Sequence, residues 1–104
     1  MAFILEIKAE AHQDTINAYS YYEEKEAGLG ERFLNALNET YQFIAKHPSH
    51  YGYIAEDPSK IFRDVRVKNF PYLVVYEIIN DKVIVYAVFH ARRDPDKKIE
   101  ESYK

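Results

Sequence analysis

The segment from Phe70 to His90 constrains the fold of this chain more than any other. Phe70-Pro71-Tyr72-Leu73-Val74-Val75-Tyr76-Glu77 and Val83-Ile84-Val85-Tyr86-Ala87-Val88-Phe89-His90 are two β-rich runs. Between them stands Asn80-Asp81, a pair suited to a tight two-residue turn. They predict an antiparallel hairpin whose outgoing strand runs straight into Ala91-Arg92-Arg93-Asp94-Pro95. An imidazole and two guanidiniums therefore sit at the strand end, either as a functional edge or as a solvated rim.

Register decides what those groups stand beside, because side chains alternate between the two faces of a strand. The turn pairs Ile79 with Lys82, and regular pairing then sets Tyr76 opposite Val85, Val74 opposite Ala87 and Tyr72 opposite Phe89. With Ile78 and Val83 these form one apolar face. Leu73, Val75, Glu77, Lys82, Ile84, Tyr86, Val88 and His90 make the opposite, mixed face, and continued alternation adds Arg92. A four-residue connection, Lys68 to Pro71, puts Ile61, Val65 and Val67 of the preceding strand on the apolar face. Phe62, Asp64 and Arg66 then join the mixed one. A one-residue slip or a β-bulge exchanges the faces.

The rest of the chain reads as a short strand and two helices. Phe3 to Lys8 alternates weakly and predicts the strand. From Ala11 to about Ala27, Ile16, Tyr19 and Tyr22 recur at helical spacing and predict the buried side of a helix, which Gly28-Leu29-Gly30 stops. Phe33, Leu34, Leu37, Tyr41 and Ile44 mark a second helix through Lys46, closed by His47-Pro48. The short connection makes the pair an antiparallel hairpin. Residues 47 to 60 form a loop whose Tyr51, Tyr53 and Ile54 are expected to fold back on the core. The order predicts an α+β fold, β-α-α-β-β-β: an antiparallel sheet with the helical hairpin packed on one face. A single domain spans 1–104, with a polar tail from about residue 97.

On this register Arg66, Tyr86, His90 and Arg92 share a face, with Lys68 at its corner. Such a set would bind a phosphodiester through its cations and move a proton through His90 or Tyr86. Arg63 is the odd member, since alternation places it on the core face near Tyr76. A guanidinium there must be paired or must reach past its stem, and an acid of the helical hairpin is one partner. Glu23, Glu24 and Glu26 read as a solvated acidic helix end. His47 and His50 lack a third ligand, so no metal and no cofactor are expected.

Composition narrows the function classes. The chain has no Cys, which removes disulfides and thiol chemistry and fits the cytoplasm. No apolar stretch approaches the length of a membrane span, and the N-terminus lacks a signal-peptide pattern. Residues 1–60 hold 5 Lys+Arg against 10 Asp+Glu, residues 61–104 hold 9 against 7, and the net charge is -3. An acidic chain argues against strong nonspecific nucleic-acid binding while leaving a local basic patch at the C-terminal end.

Several of these segments occur in a recognisable order: Gly28-Leu29-Gly30-Glu31-Arg32-Phe33-Leu34, His47-Pro48, Arg63, Val67-Lys68 before Phe70-Pro71-Tyr72, Val75-Tyr76, and Val88-Phe89-His90 with Arg92-Arg93-Asp94-Pro95. In this the chain resembles the RelE/ParE superfamily of type II toxins over residues 3 to 98, and is more similar to its ParE or plasmid-stabilisation branch. The resemblance implies the β-α-α-β-β-β toxin fold, growth inhibition, and a cognate antitoxin that wraps the toxin with its C-terminal segment. It marks Arg63, Pro71, Tyr76 and Asp94 as structural or signature residues, and register and resemblance together leave Arg66, Lys68, Arg92 and Arg93 as candidates for contact with a target or a phosphate. ParE-like members bind and inhibit DNA gyrase. RelE-like members cut mRNA on the ribosome with a basic cluster and a tyrosine or histidine, which would be Tyr86 or His90 here. The acidic charge favours protein binding over catalysis. The alternatives are a ribosome-dependent endoribonuclease and a member with weak or lost toxicity.

Overall fold

The central hairpin follows the predicted register at its turn and departs from it halfway along. In the computed structural model, which describes residues 2–54 and 57–92, the strands are β1 (Ile4–Ile7), β2 (Phe62–Arg66), β3 (Tyr72–Ile79) and β4 (Lys82–His90). Ile79 pairs with Lys82 and Tyr76 with Val85, as expected, and Asn80 takes the left-handed conformation at φ 56°. Beyond Tyr76 the pairing shifts, so that Val75 faces Ala87, Val74 faces Val88, Leu73 faces Phe89 and Tyr72 faces His90. Tyr86 is thus the extra residue of a β-bulge. The expected pairs of Val74 with Ala87 and Tyr72 with Phe89 do not form.

The bulge follows from what lies on either face. Val83, Val85 and Val88 join Val65, Val67, Tyr72, Val74 and Tyr76 in the main core beneath the helices. Ala87 and Phe89 turn away from it and, with Val75 and Ile54, make a second buried cluster flanked by Phe62 and Leu73. The face expected to be mixed is therefore partly a second apolar core. The Lys68 to Pro71 connection has the predicted length, closed by Val67 N–H donating to Tyr72 O at 2.9 Å, and Arg66 pairs with Leu73. Ile61 lies outside β2 and is exposed rather than in the core.

The helices are α1 (Ala9–Lys25) and α2 (Leu29–Lys46). The buried stripe of α1 is Ala11, Ala18 and Tyr22, while Ile16 and Tyr19 are exposed. The expected core face was turned by the small side chains, since alanines let the helix approach β4 closely where Ile16 would hold it off. α2 buries Phe33, Leu37, Tyr41 and Ile44 as predicted, with Leu34 left at the surface. Between the helices Gly28 has φ 90°, and the Glu23 carboxylate accepts from the Gly28 and Gly30 amides at 2.9 Å each. Glu23 is thus the cap of α2 rather than part of a solvated acidic end.

The observed order is β-α-α-β-β-β, with strands arranged β1-β4-β3-β2 and both helices on one face. β2, β3 and β4 are antiparallel, and β1 adds parallel to β4, Ile4 opposite Lys82 to Ile7 opposite Val85. No helix among the described residues is long and apolar enough to cross a membrane. The tail from about residue 97 lies outside the described residues.

Candidate functional site at the strand ends

The bulge divides the residues that regular alternation would gather. Arg66 and Tyr86 project from the sheet face opposite the helices: Arg66 pairs with Leu73 of the second apolar cluster, and the Tyr86 ring meets Phe62 at 5.5 Å. His90 pairs with Tyr72 and packs edge-on to its ring at 5.3 Å, on the helix side. His90 and Arg66 therefore do not share a face. Arg92 is exposed just past the strand, and Arg93 and Asp94 lie outside the described residues.

Tyr86 has no register partner and is held instead by a side chain of β3. Its hydroxyl donates to Glu77 Oε1 at 2.6 Å. Burial first, then the Glu77 hydrogen bond and charge, push the phenol well above its ordinary value. It is a neutral donor already committed to a carboxylate. His90 is also engaged, since its Nδ1 accepts from the Arg92 amide at 3.1 Å. With Nδ1 an acceptor, the neutral ring carries its proton on Nε2. Pro71, at the start of β3, extends the ladder by accepting from Ala91 N–H at 2.8 Å. The rim from Tyr72 to Arg92 is consequently well fixed.

Lys68 faces a different neighbourhood. It lines a groove of about 470 Å³ with Arg32, Asn35, Glu39 and Asn69, between α2 and the β2–β3 turn. Arg32 pairs with Glu26 at 3.6 Å in an exposed contact, an arrangement that contributes little stability.

Arg63 occupies the predicted place opposite Tyr76, and its partners come from the loop instead of an acid of the helices. Its Nη1 donates to Tyr51 O at 2.6 Å, and the guanidinium lies 4.1 Å from the centre of the Tyr53 ring. Tyr76 reaches the same loop, donating to Pro48 O at 2.7 Å. Burial raises its phenol to about 12, with Arg63 opposing the rise. Together they fasten residues 48–53 to the sheet. Ile54 and Tyr51 fold back as predicted, whereas Tyr53 stays exposed over Arg63.

Two further carboxylates shape this region. Asp57 is buried and accepts from the Ser59 hydroxyl, the Phe62 and Ile61 amides and the Ser59 amide. These bonds, the Ser59 hydroxyl foremost, hold it below the usual carboxylate range. Asp14 of α1 accepts from the Val88 amide at 3.0 Å, immediately after the bulge. Sequence reading passed over Asp14, although it stands three residues after Ala11 and four before Ala18, on the buried stripe of its helix. A carboxylate placed there needs a donor. Among the described residues no group of three or more metal-ligating side chains comes together, His47 and His50 included.

The family model for the ParE toxin of type II toxin-antitoxin systems, parDE, matches residues 5–95. The chain is similar in structure to the chromosomal ParDE system of P. aeruginosa, at a TM-score of 0.74 and 12% identity, covering 86% of this chain and 96% of that one. It is similar also to the toxin-antitoxin complex RelBE2 of Mycobacterium tuberculosis, at 0.64 and 17%, covering 86% and 92%. A mutant of the E. coli toxin RelE in the free state matches at 0.60 and 16%, covering 99% and 96%. Among curated proteins no sequence matches.

Proposed function

We propose that this chain, which belongs to the ParE toxin family of type II toxin-antitoxin systems, inhibits growth in the cytoplasm by binding a cellular target such as DNA gyrase and is neutralised by a cognate antitoxin. The observation that carries the binding reading is the dispersal of the groups RNA cleavage would need. A proton-transfer group and a cation must converge on one phosphate. Here Tyr86 is occupied by Glu77, His90 stands on the helix side of the sheet, Arg66 on the other, and Lys68 across a separate groove. A fixed rim ending in exposed Arg92 suits recognition of a protein surface.

The deciding experiment uses the purified chain in two assays. The binding reading expects inhibition of gyrase supercoiling and intact mRNA on translating ribosomes. Cleaved mRNA with untouched supercoiling replaces it with the endoribonuclease alternative. Arg92→Ala should lose toxicity while still binding antitoxin, and a fully toxic Arg92→Ala removes the rim from the target surface.

A further inference from the structure

The groove between α2 and the β2–β3 turn collects polar side chains that the fold does not use. Arg32, Asn35 and Glu39 line it from the helix, and Lys68 and Asn69 from the turn, around about 470 Å³. Among the described residues the side chains of Asn35, Glu39, Lys68 and Asn69 make no hydrogen bond and no ion pair. Arg32 meets Glu26 in its exposed 3.6 Å contact, which leaves most of its donors to spare. The walls are nonetheless fixed. Phe70 N–H donates to Val67 O at 3.2 Å across the turn, and Asn69 holds the left-handed conformation at φ 70°. Phe70 also lines the groove, and its ring packs edge-on to Phe33 at 5.2 Å. Phe33 in turn meets Tyr72, whose ring meets His90. Groove and strand-end rim therefore stand on one aromatic cluster.

Spacing and charge define what fits. Arg32, Asn35 and Glu39 stand at i, i+3 and i+7 and form a stripe about 10 Å long on α2. Three residues of extended chain, at about 3.3 Å each, match that length. The two carboxamides each offer donors and an acceptor, the pairing that a peptide backbone requires. Lys68 and Arg32 favour a carboxylate, while Glu39 repels further negative charge. A nucleic-acid strand, charged at every unit, runs into that repulsion. A peptide with a carboxylate at one end of the stripe and a neutral residue at the other does not.

We infer that this groove docks an extended acidic segment of the target protein, with a carboxylate against Lys68 and Arg32, its backbone against Asn35 and Asn69, and an apolar side chain over Phe70. This rests on the target-binding reading above and adds the chemistry of the segment that is recognised.

The probes are two synthetic peptides of about eight residues, enough to span the groove in extended form, and a single-stranded RNA of matching length. One peptide carries Glu-Leu-Glu at its centre and the other Gln-Leu-Gln, each flanked by Gly and Ser. Binding to the full chain is read by fluorescence anisotropy. The Glu peptide should bind about tenfold tighter than the Gln peptide, a gap that narrows with salt. Lys68→Glu and Arg32→Glu, at exposed positions, should each weaken its binding about threefold to tenfold with unchanged circular dichroism. Glu39→Gln should strengthen it about threefold, a gain that damage to the fold would not produce. Equal affinity for the two peptides overturns the inference, as does Glu-peptide binding that Lys68→Glu and Glu39→Gln leave unchanged. Tighter, Lys68-dependent binding of the RNA also overturns it, because the occupant is then a nucleic acid. In cells Lys68→Glu should lose toxicity. If Lys68→Glu and Arg32→Glu chains inhibit growth and supercoiling as the unaltered chain does, the groove inference fails and the target-binding reading stands. If the unaltered chain cleaves mRNA on ribosomes and leaves supercoiling untouched, both fail.

Discussion

Asp14 and Val88, 74 positions apart, are joined by a 3.0 Å hydrogen bond from a strand amide to a helix carboxylate. β1 pairs with β4 only as far as Val85, so the Val88 amide lies beyond its reach and is met by α1 instead. Asp14→Ala should cost about 1–3 kcal/mol by leaving that part-buried amide without an acceptor. Asp14→Asn, which retains a carbonyl, should cost less. Urea denaturation measures both, and hydrogen exchange should speed at Val88 before it does at Val83.

The two interhelical glycines should respond to alanine for different reasons. At Gly28 a methyl group meets nothing within 4 Å, and the penalty is the left-handed φ of 90°, roughly 1–2 kcal/mol. At Gly30 the methyl would stand 2.8 Å from the Tyr19 carbonyl oxygen and 2.7 Å from Glu23 Cγ, so backbone must move, at about 1–3 kcal/mol. Gly30→Ala should also disturb the Glu23 cap. Amide exchange at the start of α2 distinguishes the two variants.

Asp57 should make stability fall on the acid side. Hydrogen bonds from Ser59, Phe62 and Ile61 lower its folded-state pKa below the ordinary 3.8. Its contribution is therefore complete above that value and is lost as pH falls through the lower folded one. Melting temperature recorded against pH should show this loss. Asp57→Asn should flatten that part of the profile and lower stability at neutral pH.

Arg63 and Tyr76 should prove energetically coupled because both hold the loop that runs from Pro48 to Tyr53. Tyr76→Phe leaves the Pro48 carbonyl without its buried donor, about 1–3 kcal/mol. Arg63→Lys keeps the charge and loses the planar group lying over Tyr53. A double-mutant cycle in thermal unfolding should give a coupling of about 0.5 kcal/mol or more. Strict additivity would mean that the loop is held at two independent points.

Locally encoded features were legible in the sequence, and features set by distant contacts were not. The Asn80-Asp81 turn and the four-residue step from Lys68 to Pro71 follow from a few adjacent residues, and each took its expected form. The expected stop at Gly28-Leu29-Gly30 did not: α1 already ends at Lys25, left-handed Gly28 precedes α2, and Leu29 and Gly30 form its first turn. The bulge at Tyr86 answers to Asp14 and to the competition between Val88 and Phe89 for the main core, neither of which strand alternation reveals. The same gap explains α1. Periodicity identified an apolar face through Ile16 and Tyr19, but could not tell a face covered by the sheet from one left outside. Ala11 and Ala18 settled that by size. For the rim, His90 and Arg92 were candidates by their chemistry alone, while their separation from Arg66 depended on the bulge.

The extra residue in β4 makes position along that strand a question of parity. Before it, odd-numbered Val83 and Val85 lie under the helices; after it, even-numbered Val88 and His90 do. Two toxins whose sequences align through this strand without a gap hold matched residues on opposite faces when only one of them carries the bulge. Transferring a residue's role from one toxin to another in this segment therefore requires knowing the strand pairing of both.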